Sequence, residues 1–289
     1  MVSGNSLGLH TARIGTNDGL KLAATVSGER GQPAVILLHG GGQTRHSWRG
    51  TVRTLGDLGY HALAFDARGH GDSDWSPKAD YSYERLADDL QTIVSTMAAA
   101  PVIIGASMGG MTALHAVGRN DASFARALVL VDIAPRIDPN GLKRVSDFLN
   151  GYRDGFADVE EAADAVAAYN PHRPRPRNPH GLMKNLRLRE DGRLHWHWDP
   201  GFFRERSDEK REKHAQRLLA MCSNITIPAL LVRGAQSDVV TTSGIDELRE
   251  RLPQLEVGTV PGAGHMIAGD RNEAFNGAIL PFLERHKSA

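Results

Sequence analysis

One serine in the sequence stands where a nucleophile could be exposed. Ser107 lies in the stretch GASMGG, with a glycine two positions away on either side, in the pattern G-x-S-x-G. The apolar run 102–104 before it predicts a buried strand, and the apolar spacing over 111–117 predicts a helix. A sharp strand-to-helix turn exposes the serine oxygen, because the glycines leave room for neighbouring backbone. The alternative interpretation is a glycine-rich turn in which the serine only caps the helix.

A serine hydroxyl is a poor nucleophile at neutral pH, so it needs a base and a group that orients the base. His265 is our candidate base, since it follows PGAG after the last predicted strand and precedes the last predicted helix. Two aspartates are candidates for orienting it. Asp238, after the strand 229–232, completes the chain order Ser, Asp, His and is the preferred assignment. Asp132, at the end of the strand 128–131, is the alternative; it could instead only cap the following turn.

The sequence HGGG at 39–42 follows an apolar run and offers backbone donors for a developing negative charge. Glycines there allow a backbone N–H to approach a substrate carbonyl without a side-chain clash. Our candidates for an oxyanion hole are the N–H groups of Gly41 and Met108. A phosphate-cradling loop is disfavoured, because the Lys-Ser/Thr pair of a P-loop is absent and G-x-G-x-x-G is not matched.

Strands and helices must alternate to bring these residues together, and the sequence has that alternation before residue 135 and after residue 220. Two short segments flanking Asn-Asp-Gly, 9–14 and 20–26, predict a hairpin. Continuous apolar runs predict buried strands at 34–38, 60–65, 102–104, 128–131 and 229–232, followed by a strand at 255–260. Helical spacing of apolar residues predicts helices between them, as at 81–97 and 272–286. This alternation predicts an α/β fold with a mainly parallel sheet.

The segment 136–220 interrupts the alternation. It has helical stretches but no apolar run typical of a buried strand, and it holds 8 of the 17 aromatic residues. We therefore predict an α/β core of residues 1–135 and 221–289, with 136–220 inserted as a mostly helical cap over the site. In HWHW, at 195–198, we expect the tryptophans to anchor the cap and the histidines to lie near solvent. A metal pair is disfavoured, since no further ligands have suitable spacing.

The composition is that of an ordinary soluble globular protein. Of its 289 residues 40% are hydrophobic and 24% are charged, and the formal net charge of zero gives no reason to expect nucleic-acid binding. The single cysteine, Cys222, cannot form an intrachain disulfide, which favours a reducing compartment. The first residues lack a basic and then apolar leader, and no apolar stretch approaches ~18 residues. We expect a cytoplasmic protein with no membrane partner, and the sequence makes no prediction of oligomeric state.

Five motifs in this order resemble the α/β-hydrolase superfamily: HGGG (39–42), FDARGHGDS (65–73), GASMGG (105–110), GAQSDVV (234–240) and GAGH (262–265). More narrowly, the chain is similar to the capped branch that contains esterases, cofactor-free haloperoxidases, carbon–carbon bond hydrolases and epoxide hydrolases. The resemblance covers nearly the whole chain, and it implies an eight-stranded, mainly parallel sheet. Carried over to this sequence, it implies Ser107 as nucleophile, Asp238 as acid, His265 as base, and Gly41 and Met108 as oxyanion donors.

The function that follows from these residues and this resemblance is a serine hydrolase for small, partly hydrophobic carboxylic esters or lactones, with no metal or organic cofactor. Alternatives that keep the triad are carbon–carbon bond hydrolysis and cofactor-free perhydrolysis. Another is a ligand-binding receptor on a hydrolase fold. Epoxide hydrolases and haloalkane dehalogenases use an aspartate at the position of Ser107. Its carboxylate attacks an alkyl carbon and forms an ester with it, and water can then cleave that ester. A serine would give an ether that resists water, so those two activities are disfavoured.

Overall fold

Two sheets are present in the computed structural model, whose described residues are 8–169, 175, 178–203, 207–267 and 272–287. The strands in chain order are β1 (His10–Gly15), β2 (Lys21–Ser27), β3 (Ala34–Leu38), β4 (His61–Phe65), β5 (Val102–Ala106), β6 (Ala127–Val131), β7 (Leu186–Leu188), β8 (Leu194–Trp196), β9 (Ala229–Gly234) and β10 (Leu255–Val260). Strands β7 and β8 form a separate hairpin.

The large sheet has the spatial order β1-β2-β4-β3-β5-β6-β9-β10. Strands β1 and β2 form the predicted hairpin, and β2 also pairs antiparallel with β4. All neighbouring pairs from β4 through β10 are parallel. The predictions of an α/β fold, eight strands and a mainly parallel sheet are therefore confirmed.

Helices cover both faces of this sheet, which explains why its central strands are continuously apolar. The helices are α1 (Arg49–Asp57), α2 (Tyr83–Val94), α3 (Met108–Arg119), α4 (Pro139–Asn150), α5 (Val159–Tyr169), α6 (Asp208–Cys222), α7 (Thr242–Arg251) and α8 (Asn272–Arg285). Short 3-10 helices span Arg45–Trp48 and Pro179–Asn185. In β3, Ile36 packs toward the side of α2 and α3, whereas Val35 and Leu37 pack toward α1 and α8.

The register of the parallel strands brings four chain segments to one edge of the sheet. Leu38, the last residue of β3, is paired with Gly105 of β5. Val131, the last residue of β6, is paired with Ala106 on one side and with Val232 of β9 on the other. The residues that follow these strands therefore meet at the carboxyl edge, where ligand sites form in open α/β sheets.

The insertion after β6 contains α4, α5, the second 3-10 helix and the β7–β8 hairpin. It is mostly helical, and the hairpin is a feature that the sequence did not reveal. Its own apolar cluster includes Trp196 and Trp198, which stack with ring centroids 5.0 Å apart, so the tryptophans anchor the cap as expected. The expectation for the histidines is wrong, because His195 and His197 are both buried.

Helix α6 crosses residue 220, where the cap was predicted to end. Leu218 and Cys222, on its last turns, both belong to the core cluster that packs against α3. Helix α6 is continuous across residue 220, so it connects the insertion to the core as one element. The division of the chain into a core and a cap at these boundaries stays a prediction.

Helix α3 approaches the sheet so closely that only glycine fits at one of its positions. A Cβ atom added at Gly109 would lie 2.6 Å from both the Cβ and the carbonyl oxygen of Leu38. A Cβ atom and a carbonyl oxygen cannot move aside as the end of a flexible side chain can, so this contact fixes the height of the helix above β3. The first turn of α3, with Ser107 just before it, is thereby held against the sheet edge.

We predict opposite stability changes for two glycine-to-alanine substitutions in helices. Gly109→Ala overpacks the contact with Leu38 and should destabilise the protein by about 1–3 kcal/mol. Gly277→Ala, in α8, meets no heavy atom within 4 Å in the described part of the chain. It should stabilise the protein by about 0.5–1 kcal/mol through helix propensity. Urea unfolding of both variants measures the free energies, and a Gly109→Ala protein as stable as the parent would contradict the packing analysis.

Candidate functional site

Ser107 occupies a strained turn between β5 and α3. Its φ is +46° and its ψ is −114°, a conformation that non-glycine residues rarely adopt. The turn is held from both sides, since the Ser107 N–H donates to the carbonyl of Val131 and the Ser107 carbonyl accepts from the N–H of Met111. No hydrogen bond joins the hydroxyl to α3 as a cap, so the interpretation as a mere N-cap is not supported.

His265 lies between Ser107 and a carboxylate. Its Nε2 atom is 3.2 Å from Ser107 Oγ, and its Nδ1 atom is 2.8 Å from Asp132 Oδ2. A neutral imidazole whose Nδ1 donates to a carboxylate has Nε2 free to accept the serine proton. The structure thus brings together a hydroxyl, a base and an orienting carboxylate, in the geometry that activates a nucleophile.

The carboxylate of Asp132 is fully buried and is held by donors from the neighbouring strand end. Its Oδ1 accepts from the N–H of Gly234 at 2.9 Å, and its Oδ2 accepts from Ser237 Oγ at 2.5 Å in addition to His265. Its φ of +48° turns the chain sharply at the end of β6. Three donors compensate the charge in a place where an unpaired carboxylate would be very unfavourable.

The assignment of Asp238 as the partner of His265 is corrected by the structure. Its two carboxylate oxygens are each 2.7 Å from a nitrogen of Arg144, on α4 of the cap. Burial raises the pKa of Asp238, but the hydrogen bonds and charge of Arg144 outweigh burial and leave the pKa below its ordinary value. Asp238 comes four residues after the end of β9 and has turned toward the insertion, whereas Asp132 directly follows β6 beside the serine turn. Asp132, the alternative, is the residue that contacts His265.

The glycines after β3 leave one backbone donor available beside the serine. The Gly40 N–H donates to Gln43 Oε1 at 2.9 Å, and the Gly42 N–H donates to His70 Nε2 at 3.2 Å. The Gly41 N–H has no acceptor among the described residues. The loop passes close to Ser107, since a Cβ added at Gly40 would lie 3.4 Å from the serine Cβ.

Met108 supplies the second candidate donor. It is the first residue of α3, so its N–H has no acceptor within the helix. The positive end of the helix dipole also lies there, which favours negative charge at this point. The structure thus places the two predicted oxyanion donors, Gly41 and Met108, on the walls of the cavity that Ser107 and His265 also line.

Three buried histidines support the glycine loop. His39 Nε2 accepts from the N–H of Ala67, and His70 Nε2 accepts from the N–H of Gly42. His197, from the cap, accepts from the N–H of Gly71 through Nδ1. The ring centroids of His39 and His70 lie 5.2 Å apart, and those of His70 and His197 lie 5.7 Å apart.

Burial lowers the pKa of all three imidazoles, and for His197 the pKa falls to about 3. Each ring must stay neutral because each uses a nitrogen lone pair to accept a backbone N–H. From the sequence, His70 stands out only as part of the motif FDARGHGDS, and His197 is expected to lie near solvent. The HWHW pattern could have indicated that His197 is buried, because His197 lies between the two tryptophans that form the centre of the cap.

The triad opens into one large cavity of about 720 Å³ beneath the cap. This volume is in the range typical of small-molecule sites. The cap side of the wall is largely aromatic and aliphatic, formed by Phe148, Leu149, Val166, Leu182, Trp196, Trp198, Phe202 and Phe203. The cavity therefore suits a molecule with an apolar part placed against the cap and a reacting group placed at the sheet edge.

Other chemistries find little support in the described residues. Cys222 is buried, and burial raises the pKa of its thiol to about 12, so it is not a nucleophile. In the described ranges, no three His, Cys, Asp or Glu side chains are grouped as they would be around a metal ion. No described helix combines the length and the apolar character needed to cross a bilayer.

Comparison with known proteins supports the fold described above. Residues 33–271 match a family model described as the α/β-hydrolase fold. Two relatives come from Mycobacterium tuberculosis: an esterase, 29% identical over 84% of this chain and 80% of its own, and epoxide hydrolase A, 27% identical over 96% and 98%. The crystal structure of an E-2-(acetamidomethylene)succinate hydrolase superposes with a TM-score of 0.82 over 96% of this chain and 100% of that one, at 22% identity. At that identity the superposition shows the fold alone.

We predict that the buried histidines make the fold sensitive to mild acid. An unfolded imidazole has a pKa of about 6.5, whereas burial lowers the pKa of His70 in the fold. Below pH ~6.5 the unfolded state therefore binds the proton more readily, so stability is complete above this pH and is lost as the pH falls, by up to about 1.4 kcal/mol per pH unit for each such histidine.

His70→Gln isolates one of these contributions. The glutamine amide oxygen can accept the Gly42 N–H but does not titrate. Urea unfolding between pH 7 and pH 5 should give a shallower decline for the variant than for the parent protein, with similar stabilities at pH 8. Equal slopes would show that His70 does not stay neutral in the fold.

Proposed function

Since this chain belongs to the α/β-hydrolase family, we propose that it is a serine hydrolase that cleaves small, partly hydrophobic carboxylic esters or lactones through an acyl-enzyme. The observation that carries the proposal is the continuous chain of contacts from Ser107 Oγ to His265 Nε2 and from His265 Nδ1 to Asp132. A hydroxyl so placed loses its proton to the imidazole as it attacks.

The reaction begins when Ser107 Oγ attacks the carbonyl carbon while His265 Nε2 takes the hydroxyl proton. Negative charge moves to the carbonyl oxygen, where the N–H groups of Gly41 and Met108 stabilise it; a donor of this kind lowers the barrier by about 3–4 kcal/mol. The buried carboxylate of Asp132 stabilises the imidazolium that forms.

Collapse of the tetrahedral intermediate breaks the carbon–oxygen bond to the alcohol, which takes the proton from His265 and leaves. In a lactone, that alcohol stays attached to the acyl part. Water then attacks the acyl group on Ser107, giving its proton to His265, and the acid is released as the proton returns to the serine oxygen. Every proton in this cycle is carried by the imidazole, so the chain's own residues complete it.

The identity of the nucleophile argues against epoxide hydrolysis, despite the similarity to epoxide hydrolase A. Opening an epoxide on Ser107 would form an ether between the serine oxygen and a saturated carbon. Water does not readily cleave an ether, and there is no carbonyl carbon at which it could attack. The oxyanion donors Gly41 and Met108 instead suit a carbonyl substrate, as an ester or lactone has.

The decisive experiment is labelling of the intact protein with a small fluorophosphonate, followed by mass spectrometry. We expect one adduct on Ser107, absent in Ser107→Ala and formed much more slowly in His265→Ala. The same Ser107→Ala variant should lose turnover of 4-nitrophenyl esters by about 10³-fold or more. Full esterase turnover in Ser107→Ala would rule out the proposed mechanism.

A substrate panel separates the remaining functions that the same residues could serve. Carbon–carbon bond hydrolysis requires turnover of vinylogous diketones above that of simple esters, and perhydrolysis requires peracid formation from an acyl donor and peroxide. A receptor would bind its ligand with negligible turnover, and binding would be unchanged in Ser107→Ala. We expect esters and lactones to be the better substrates.

Two aspartate variants test the assignment of the acid. Asp132→Asn leaves an amide beside His265, which favours the wrong imidazole tautomer and should lower kcat by roughly 10³- to 10⁴-fold. Asp238→Asn is the matched control, and it should retain kcat within about tenfold because its contact is with Arg144 of the cap. Steady-state kinetics with one 4-nitrophenyl ester compares the two, and a larger loss in Asp238→Asn would reverse the assignment.

A further inference from the structure

Three exposed cations line the mouth of the cavity, and the proposed chemistry does not use them. Arg49 and Arg53 belong to α1, and Lys184 belongs to the 3-10 helix of the cap. All three residues are exposed, and all three line the cavity that contains Ser107. Within the described part of the chain, none of their side chains has an ion pair or a hydrogen bond.

The described residues of the cavity wall offer these cations no negative partner. Among the described residues, the wall includes no Asp or Glu. Other arginines of this region are already neutralised. Arg45 pairs with Asp66 as well as Asp72, Arg187 pairs with Asp72, and Arg211, which also lines the cavity, pairs with Asp208. With no charged partner among the described residues, Arg49, Arg53 and Lys184 make the potential at the mouth positive.

The positions of Arg49 and Arg53 on α1 are also electrostatically unfavourable for the helix. Arg49 is the first residue of α1, whose first turn contains no acidic residue, so its charge lies at the positive end of the helix dipole. Arg53 follows four residues later, on the same face, with a Cβ separation of roughly 5–6 Å. An anion bound between these side chains would relieve the repulsion and would meet two guanidinium groups together.

Lys184 approaches the same mouth from the cap. Burial is the largest cause that lowers the pKa of His46, followed by the charge of Arg45, and the charge of Lys184 acts in the same direction. His46, Arg49, Arg53 and Lys184 all line the same cavity, so α1 of the core and the 3-10 helix of the cap both bring cations to its wall.

We propose that Arg49, Arg53 and Lys184 form an anion-binding subsite, so that the preferred ester or lactone carries an anionic group, a carboxylate or a phosphate. This inference rests on the proposed function and names its substrate class. The apolar part of the cap wall accommodates the body of the substrate, the triad holds the ester, and the charged group stays at the wet mouth, where guanidinium groups bind carboxylate or phosphate well.

The test compares esters that differ only in one charge. Two pairs compare the mono-4-nitrophenyl esters of adipic and suberic acid with the corresponding methyl 4-nitrophenyl diesters. A third pair compares 4-acetoxybenzoate with its methyl ester, and there the charge lies on the alcohol side of the ester. We expect kcat/KM to favour the anionic member of at least one pair by about tenfold at low salt, and the preference to shrink in about 0.5 M NaCl. Competition by adipate and by inorganic phosphate distinguishes the two kinds of anion.

Charge-removing variants locate the effect. Each of Arg49→Gln, Arg53→Gln and Lys184→Gln should lower kcat/KM for the anionic ester by about threefold to fivefold, while the methyl diesters change little. The triple variant should abolish the preference. Arg249→Gln, an exposed arginine on α7 away from the cavity, is the matched control and should behave as the parent.

The outcomes separate this inference from the proposed function. If Ser107 is labelled and the methyl diesters are hydrolysed, but no pair shows an anionic preference or the triple variant keeps it, the subsite is wrong and the hydrolase remains. If no ester is hydrolysed and Ser107 is not labelled, the proposed function fails. Calorimetric titration with adipate and phosphate, beside dimethyl adipate, would then still decide whether the three cations bind an anion.

Discussion

The site depends on a buried carboxylate at the end of β6. Asp132 has no contact with water, so its charge is tolerable only because donors from other segments converge on it. Gly234 and Ser237 donate from the end of β9, and His265 donates from the loop after β10. The same hydrogen bonds that compensate the charge fix the imidazole against the serine turn of β5. Three strand ends are thus tied to one side chain, and any slip in their register would leave a buried charge exposed to apolar surroundings.

The turn at Ser107 is held in place, as the carboxylate of Asp132 is. Its unfavourable φ, roughly 1–3 kcal/mol above a relaxed conformation, is held by the close contact of α3 with β3 and by the hydrogen bond from Ser107 to Val131. Glycine at 109 is needed because the neighbouring atoms are the Cβ and carbonyl oxygen of Leu38 and the carbonyl oxygen of His39, none of which can move without the backbone. The register of the sheet, the height of α3 above β3 and the conformation of Ser107 therefore depend on one another. For this reason the G-x-S-x-G motif is informative only together with the strand before it and the helix after it.

This dependence also explains how far the sequence could be interpreted. Strands and helices of the core follow from local periodicity, and Ser107 and His265 follow from glycines beside predicted strand ends. The choice between Asp132 and Asp238 could not be made in that way, because both follow a strand at the same sheet edge. The choice depends on the direction that the backbone takes after each strand. Arg144, which binds the Asp238 carboxylate, lies 94 residues away in the insertion. His70 and His197 were missed for the same reason, since their role comes from contact between the cap and a core turn.

The insertion therefore does more than cover the cavity. Arg144 binds the core loop at Asp238, and His197 accepts a hydrogen bond from the core turn at Gly71, so the cap is attached on two sides of the triad. Between these attachments the cap side of the wall is largely apolar, whereas the exposed cations Arg49, Arg53 and Lys184 line the mouth. A substrate with a neutral ester and a distant anionic group would be oriented by this contrast alone, because its charged end is excluded from the interior and attracted to the entrance. In the proposed reaction, the cap thus determines the orientation in which an ester reaches Ser107, whereas the sheet edge determines the chemistry that follows.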